Sequence, residues 1–354
     1  ELSADVGHKR AWERSGPKLG DGVAWSVAVA QTFEFPGRLE LRKAIANRQI
    51  DLARLGLEQA ETALAGRARA LAFEFHSAQE RAAATREVAD RFAAVAAVLV
   101  QREVGGVTPL LEQRILEANT ITLNRRATQA ERDSQQAMIT LNQLRGQPAT
   151  REFRLTGMDF LPTNSPPAHV LLETARTNSF DVRLRKIELE QQGFEVDLRK
   201  HERWPSITIA PFYSEERAAD QERTLGVGLS LPLPLWNRND GAIEVAQARL
   251  RQADASLRAV LLEIEAQVST HALALEAQVA EIRRWRPNAP RDFRESAELA
   301  DRHYRLGAVP VTTYVEMQLQ YLEALEALLA TRGEALEHWH QLELLVGQPL
   351  AALH

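Results

Sequence analysis

The stretch that most constrains this chain is residues 224–257, where a β-strand pattern runs directly into a helical one. Between residues 224 and 235, apolar side chains alternate with small or polar ones, which is typical of a strand with one apolar face. The apolar positions are Leu225, Val227, Leu229, Leu231, Leu233 and Leu235. A strand of this length matches a membrane-crossing strand, since about 9 to 11 tilted residues span a bilayer. From Ala242 the apolar spacing becomes that of a helix.

The same switch from strand to helix occurs once before, at residues 22–38. Shifting the chain by 200 residues aligns the apolar positions of the two helical segments that follow. The aligned positions are Ile45, Ala46, Ile50, Ala53, Leu57 and Leu64 with Val245, Ala246, Leu250, Ala253, Leu257 and Ile264. The chain is therefore predicted to be an internal duplication of strands followed by long helices.

In the first copy, residues 1–14 and 22–38 are predicted to pair as a β-hairpin, and a helix then covers residues 39–103. Its apolar residues recur every seven positions, at Ile50, Leu57, Leu64 and Leu71. Such a helix would extend for roughly 100 Å, and the repeat predicts coiled-coil packing. Glycines reverse the chain at residues 104–109, and a return helix with its own heptad runs to the stop at residues 146–148, Gly-Gln-Pro.

The second copy follows the same order. One helix is predicted over residues 167–203, and a strand at 207–213 joins the strand of residues 224–235 through a polar turn at 215–223. The long helix from residue 242 to 306 should be interrupted at Pro287 and Pro290, because proline removes a helical donor. After a turn at 307–310, a return helix keeps the heptad through Val315, Leu322, Leu329 and Leu336. It ends at Gly347, where Gly-Gln-Pro recurs.

Composition narrows the functional classes. The chain has 354 residues, 26% of them charged and 45% hydrophobic, and its net charge of −5 offers no basic surface for nucleic acid. No apolar run approaches the roughly 20 residues of a transmembrane helix, so any membrane crossing is expected through strands. With no cysteine, the chain has neither disulfides nor cysteine chemistry. It opens on a strand pattern, so we expect a leader and a first helix to precede residue 1.

Chemistry-bearing motifs are missing from the sequence. It contains no phosphate-binding loop, dinucleotide fingerprint, zinc-protease motif or nucleophile elbow, so neither an enzyme nor a cofactor is expected. His338 and His340 look like a metal pair, but side chains two positions apart on a helix point in different directions. We therefore expect no metal site there.

Several segments carry a family likeness. The segment GAVPVTTYVEMQLQYLEA from Gly307, preceded by Tyr304, resembles the tip and return helix of TolC-type outer-membrane efflux ducts. The segment GGVTPLLEQRILEA from Gly105 and both Gly-Gln-Pro stops resemble the same family. Residues 31–44 and 231–248 are similar to its heavy-metal branch, which serves cobalt–zinc–cadmium and copper–silver efflux pumps. The resemblance covers essentially the whole chain.

The resemblance implies a mixed, mainly α fold, in which a long coiled-coil α-helical barrel joins a trimeric, twelve-stranded transmembrane β-barrel with four strands per protomer. Four strands cannot close a barrel alone, and open edges in lipid leave backbone groups unpaired, so a homotrimer is expected. The implied domains are barrel strands at 1–36 and 204–236, a helical hairpin at 37–148 with its tip near 104–109, an equatorial segment at 149–203, and a second hairpin at 237–354 with its tip near 306–310.

The implied function is a passive exit duct in the bacterial outer membrane, with its helical tunnel in the periplasm. It would export heavy-metal cations as part of a tripartite pump. The expected partners are a periplasmic adaptor protein, a proton-driven inner-membrane transporter and outer-membrane lipid.

The resemblance also implies site residues. In the family, acidic residues at the sixth and ninth positions after the tip glycine line the periplasmic constriction. These positions are Thr313 and Glu316, so the acid is kept only at Glu316. Three such carboxylates in a ring would favour cations, whereas an ordinary exposed helix residue is the other interpretation. The expected adaptor-docking residues are Gly105, Gly106, Val107, Tyr304, Gly307, Val309 and Pro310.

Two alternatives remain open. The same architecture serves ducts for drugs or for secreted polypeptides. A soluble coiled-coil adaptor or scaffold with a β-domain is the competing class of protein. The long alternating strands argue against this class, because a soluble sandwich would need a second sheet to cover so many apolar side chains.

Overall fold

The computed structural model describes residues 1–12, 16, 18–103, 110–155, 166–218, 220–232, 238–285 and 289–350. The strands are β1 (Leu2–Trp12), β2 (Lys18–Val29), β3 (Gln31–Phe33), β4 (Ile207–Arg217) and β5 (Gln221–Ser230). The helices are α1 (Arg38–Glu103), α2 (Leu110–Leu144), α3 (Ala168–Asn178), α4 (Phe180–His201), α5 (Asp240–Arg284), α6 (Ala289–Arg305) and α7 (Val311–Val346). Contacts divide the chain into a first unit, Glu1–Leu55 with Leu184–Ala259, and a second unit, Gly56–Arg183 with Val260–His354.

The first unit contains an antiparallel sheet that is built from two hairpins. β1 pairs with β2, and β4 pairs with β5. β2 and β3 both pair with β4 in one continuous register, so β3 extends β2 beyond Ala30. The four predicted strands are therefore present. The second hairpin differs in detail, because β4 and β5 continue to Arg217 and Gln221 through most of the predicted polar turn. β5 ends at Ser230, short of the predicted residue 235, and residues 233–237 lie outside the described part.

One face of this sheet is apolar and open. Paired residues of an antiparallel sheet point to the same face, and the register pairs Leu2 with Val29, Val27 with Tyr213, and Ile209 with Leu229. On β5 the side chains of Leu225, Val227 and Leu229 are 82%, 70% and 71% exposed. The opposite face presents small and polar residues, among them Ser26, Thr224 and Gly228. The predicted alternation is thus confirmed, with its apolar side uncovered within this chain.

The core of the second unit lies where α1, α2, α6 and α7 pack together. Its buried side chains include Val88, Phe92, Leu116, Leu123, Ala297, Tyr314, Leu322 and Leu329. The predicted heptads of the two return helices supply Leu116 and Leu123 from α2 and Leu322 and Leu329 from α7. None of the helices among the described residues is both long and apolar enough to cross a membrane.

The heptad of α1 behaves differently from those of the return helices. Ile50, Leu57 and Leu64 are 49%, 60% and 53% exposed, so this row of side chains does not pack into the core of its own chain. A heptad shows that a stripe of the helix is apolar but not which helix covers it. The described part of the chain therefore leaves this apolar row uncovered.

The helix predicted over residues 167–203 is broken in two at Ser179. Its backbone is extended there (φ −48°, ψ 134°), its N–H donates to the Ala175 carbonyl at 3.1 Å, and its carbonyl accepts from the N–H of Arg183 at 2.9 Å. The sequence Asn178-Ser179 favours such a break because both side chains compete with helical hydrogen bonds. By contrast, the break predicted near Pro287 and Pro290 is confirmed, since α5 ends at Arg284 and α6 begins at Ala289.

Two glycines allow close approaches in the second unit. Gly347 ends α7 with φ +73°, and a Cβ there would collide with the carbonyl of Asn178, next to the break between α3 and α4. Gly66, in the middle of α1, lies against the buried imidazole of His340, and a Cβ would overlap that ring. Burial lowers the pKa of His340, which favours the neutral form of the ring.

Replacing Gly66 with alanine should destabilise the protein, whereas the same change at Gly56 should stabilise it. Alanine in a helix is favoured over glycine by about 1 kcal/mol, and nothing lies within 4 Å of a Cβ at Gly56. At Gly66 this gain is outweighed by overpacking against His340, which costs about 1–3 kcal/mol. Thermal unfolding followed by circular dichroism in detergent measures both variants. A higher melting temperature for Gly66→Ala would contradict the close packing of His340.

Candidate functional site

The turn between α6 and α7, residues 306–310, reverses the chain in five residues. Gly307 has φ +74°, its N–H donates to the Tyr304 carbonyl at 2.9 Å, and the N–H of Ala308 donates to the His303 carbonyl at 2.9 Å. This pair of bonds is the Schellman ending of a helix, which favours glycine because other residues are strained at positive φ. Pro310 then precedes the first turn of α7 with φ −73°.

The predicted docking residues of this turn differ in exposure. Gly307 and Pro310 are exposed, while Val309 and Tyr304 are half-buried. The Tyr304 ring stacks on Tyr314 with 5.0 Å between ring centroids, and Tyr314 in turn contacts Phe92 of α1 at 5.2 Å. Tyr304 therefore anchors the turn to the core as well as bordering its surface. Gly105, Gly106 and Val107 of the first predicted tip lie outside the described residues.

Tyr314 is fully buried at the centre of this aromatic stack. Burial raises the pKa of its hydroxyl, and the nearby Asp301 carboxylate raises it further. The phenol consequently stays protonated at every physiological pH and acts as a fixed packing group.

The two predicted constriction residues lie on the exposed side of α7. Thr313 and Glu316 are exposed, while Tyr314 and Gln318 between and beyond them are buried. Glu316 accepts a hydrogen bond from the side-chain amide of Gln320, one turn further along, at 3.2 Å. Within this chain the Glu316 carboxylate is thus held by its own helix and directed away from the core.

A polar network that the sequence did not reveal lies behind these residues. Gln318 is fully buried, and its amide donates to the Ala297 carbonyl of α6 at 2.6 Å and accepts from Arg91 of α1 at 3.3 Å. Arg91 also pairs with Glu87 at 2.5 Å, and Arg294 of α6 pairs with Glu87 at 3.1 Å. These bonds satisfy the buried amide and tie α1, α6 and α7 together next to the turn.

A second polar contact joins α5 and α7. The Nδ1 atoms of His271 and His338 are 3.1 Å apart, and their ring planes are tilted by 51°. Burial, followed by the proximity of His338, lowers the pKa of His271. As expected from the sequence, His340 points elsewhere, because its ring lies against Gly66. Sequence analysis missed the pair because its members are 67 positions apart.

The described residues contain no cluster of three or more histidine, cysteine, aspartate or glutamate side chains that could hold a metal ion.

The grooves on each unit are shallow and open. One groove of about 250 Å³ in the second unit lies between Phe73 and Ser77 of α1 and Leu329 and Gly333 of α7. Among the described residues, the candidate site is therefore a turn and the helix surface beside it.

Comparison with known proteins identifies the family. The outer membrane efflux protein family matches residues 171–348, half of the chain. The cobalt-zinc-cadmium resistance protein CzcC of Cupriavidus metallidurans is 29% identical over 228 residues, which cover 63% of this chain and 52% of CzcC. The chain thus spans about half the length of this relative.

Solved structures share the fold at low identity. CusC, whose structures describe folding and transmembrane channel formation, superimposes with a TM-score of 0.76 at 13% identity, covering 98% of this chain and 83% of CusC. The outer membrane protein VceC of Vibrio cholerae gives 0.74 at 16% identity, covering 98% and 86%. The family match and these two likenesses agree with the strands, the long helices and the glycine turn at residues 306–310, and the chain belongs to the outer membrane efflux protein family.

Proposed function

We propose that this protein is a passive exit duct in the outer membrane, through which a tripartite pump exports heavy-metal cations. The observation that carries the proposal is the uncovered apolar face of the sheet in a chain of the efflux family. The likeness to a cobalt-zinc-cadmium resistance protein supports metal cations as the cargo. The duct does no chemistry, so its activity lies in the shape and charge of the passage.

The assembly we propose is a homotrimer with a twelve-stranded barrel. β1 and β5 each pair with one neighbour among the described strands, which leaves both outer edges of the sheet open. In lipid, each unpaired backbone group would cost several kcal/mol, and edges of neighbouring protomers remove this cost. The exposed heptad row of Ile50, Leu57 and Leu64 supports the same assembly, because helices of a neighbouring protomer would cover it.

The same assembly assigns each segment of the chain to a part of the duct. Residues 1–36 and 204–236 would form the barrel. Leu225 and the other apolar residues on its face of the sheet would contact lipid, and the small, polar face would point towards water. Residues 37–148 and 237–354 would form the two periplasmic hairpins, and 149–203 the equatorial segment. A periplasmic adaptor and a proton-driven inner-membrane transporter would complete the pump.

The orientation of the sheet can be tested with two adjacent residues of β5. Leu225 lies on the apolar face and Thr224 on the opposite face. Leu225→Arg should destabilise the inserted protein by roughly 2–4 kcal/mol, since a charge would face lipid, whereas Thr224→Arg should be tolerated in a wet lumen. The measurement is the urea dependence of unfolding in lipid vesicles, together with the trimer fraction in detergent. Equal tolerance of both changes, or a stable soluble monomer, would overturn the barrel.

The exposed turn at residues 306–310 is the proposed adaptor-docking surface. Gly307→Asp places a charge at its centre, in a backbone conformation that aspartate tolerates better than most residues. It should abolish tolerance of toxic metal cations in cells that supply the adaptor and the transporter, while the trimer still forms. The control is Gly241→Asp, at an exposed position in the first turn of α5, where an acidic residue suits the helix dipole. Full tolerance with Gly307→Asp would remove the turn from the docking surface.

Glu316 is the proposed charge of the periplasmic constriction. Three symmetry-related carboxylates in a narrow passage bind cations because low-dielectric walls focus their field. In planar bilayers, Glu316→Gln should therefore lose cation selectivity and sensitivity to block by divalent or trivalent ions. The size of the side chain is nearly unchanged, so the trimer and the barrel should persist.

The matched control is Glu326→Gln, an exposed carboxylate on a different side of the same helix. It should leave ion selectivity close to that of the unaltered protein. If Glu316→Gln and Glu326→Gln behave alike, Glu316 is an ordinary solvated residue and the constriction lies elsewhere on α7.

A further inference from the structure

The contact between His271 and His338 joins two helices that the sequence separates widely. The two Nδ1 atoms face each other at 3.1 Å, and the ring centroids are 5.3 Å apart. Both residues are half-buried, so the pair is partly accessible to water. A neutral imidazole has one lone-pair nitrogen, which makes two converging ring nitrogens either a single hydrogen bond or a pair of metal ligands.

Apolar packing holds the two histidines at this separation. Val268 and Leu275 flank His271 on α5, Ala335 and Leu342 flank His338 on α7, and all four are fully buried. Rigid elements give more defined sites than loops do. The position of the pair is therefore set by the interface between the helices and not by the histidines themselves.

Further polar side chains lie along the interface between α5 and α7. Towards the α6–α7 turn, the Gln278 amide donates to the Glu334 carboxylate at 2.6 Å. Beside the pair, Glu337 accepts from the amide of Gln341 at 2.7 Å. The Glu337 carboxylate is close enough to act on the charge of His271, so an ion bound by the pair would have an anionic neighbour.

We propose that His271 and His338 provide the two protein ligands of a site for a divalent transition-metal ion of the kind that prefers imidazole, such as Zn²⁺. Zn–N bonds of about 2.0–2.1 Å in tetrahedral geometry place the two nitrogens about 3.4 Å apart, and the observed 3.1 Å requires only a small opening. Water completes the coordination, because the described residues offer no third ligand in a cluster. Hard ions such as Mg²⁺ prefer oxygen and are excluded.

This inference goes beyond the proposed duct. A site with two protein ligands and exchangeable water binds and releases an ion readily, which suits a sensing or transient contact better than permanent storage. Binding can be measured on the isolated protein, and its outcome is independent of the cargo that the duct carries.

The test is titration of Zn²⁺ into the purified, detergent-solubilised protein by calorimetry, after removal of any histidine tag. We expect one Zn²⁺ per chain and no response to Mg²⁺. His271→Gln and His338→Gln should each weaken binding at least about tenfold. Glutamine retains a polar side chain, and circular dichroism and the trimer fraction verify that both variants fold.

The matched control is His169→Gln, because His169 is exposed on α3. Its zinc affinity should equal that of the unaltered protein. Visible absorption after loading with Co²⁺ gives a second measurement, since bands from nitrogen coordination should disappear with His271→Gln and persist with His169→Gln. The proposal is overturned if the unaltered protein binds no stoichiometric Zn²⁺, or if the pair variants bind as tightly as the His169 variant. Lost zinc binding with intact cation export would support this site and leave the duct proposal standing.

Discussion

The burial of one face of α7 against α1, α2 and α6 is the interaction on which the helical unit depends. Tyr314, Leu322 and Leu329 form its apolar row, and the helical period then directs Glu316 to the surface. The same packing sets the position of His338 opposite α5. At the end of α7, Gly347 has the positive φ that lets the chain pass close to Asn178. The proposed gate and the proposed metal site are thus both consequences of one buried stripe.

The sheet differs from the helical unit because its apolar face is not buried. Its apolar side chains are uncovered, and its small and polar residues share the other face. In water such a surface would be unfavourable by about 25 cal/mol for each Å² of apolar area, and two open edges would invite association. In the proposed trimer, lipid around the apolar face and neighbouring protomers at the edges would relieve both problems at once. A soluble adaptor or scaffold would satisfy neither requirement, and family membership agrees with the membrane solution.

Polar groups in the helical unit show two different degrees of satisfaction. Gln318 is fully buried, but its amide both donates and accepts, so the network with Arg91 and Ala297 fixes the helices without an unpaired group. The histidine pair is half-buried and can form only one internal hydrogen bond between its two facing nitrogens. A closed network stabilises one arrangement of helices, whereas an incompletely satisfied pair can accept a ligand. This contrast is the physical basis for assigning a structural role to the Gln318 network and a proposed binding role to the histidine pair.

The sequence by itself determined the strands, the long helices, the proline interruption and the glycine turn at Gly307. Each depends on local periodicity or on one residue's backbone preference, as Gly307 and Pro290 illustrate. Resemblance, and not local pattern, led to the family and to the prediction that Glu316 and Thr313 are gate residues. Tertiary structure decided which apolar rows are buried, since Leu322 is covered while Leu57 is exposed although both follow a heptad. It also decided the contacts of Gln318 with Ala297, Gly66 with His340 and His271 with His338. Those contacts depend on how distant helices align along one another, and a pattern within a single helix carries no information about that alignment.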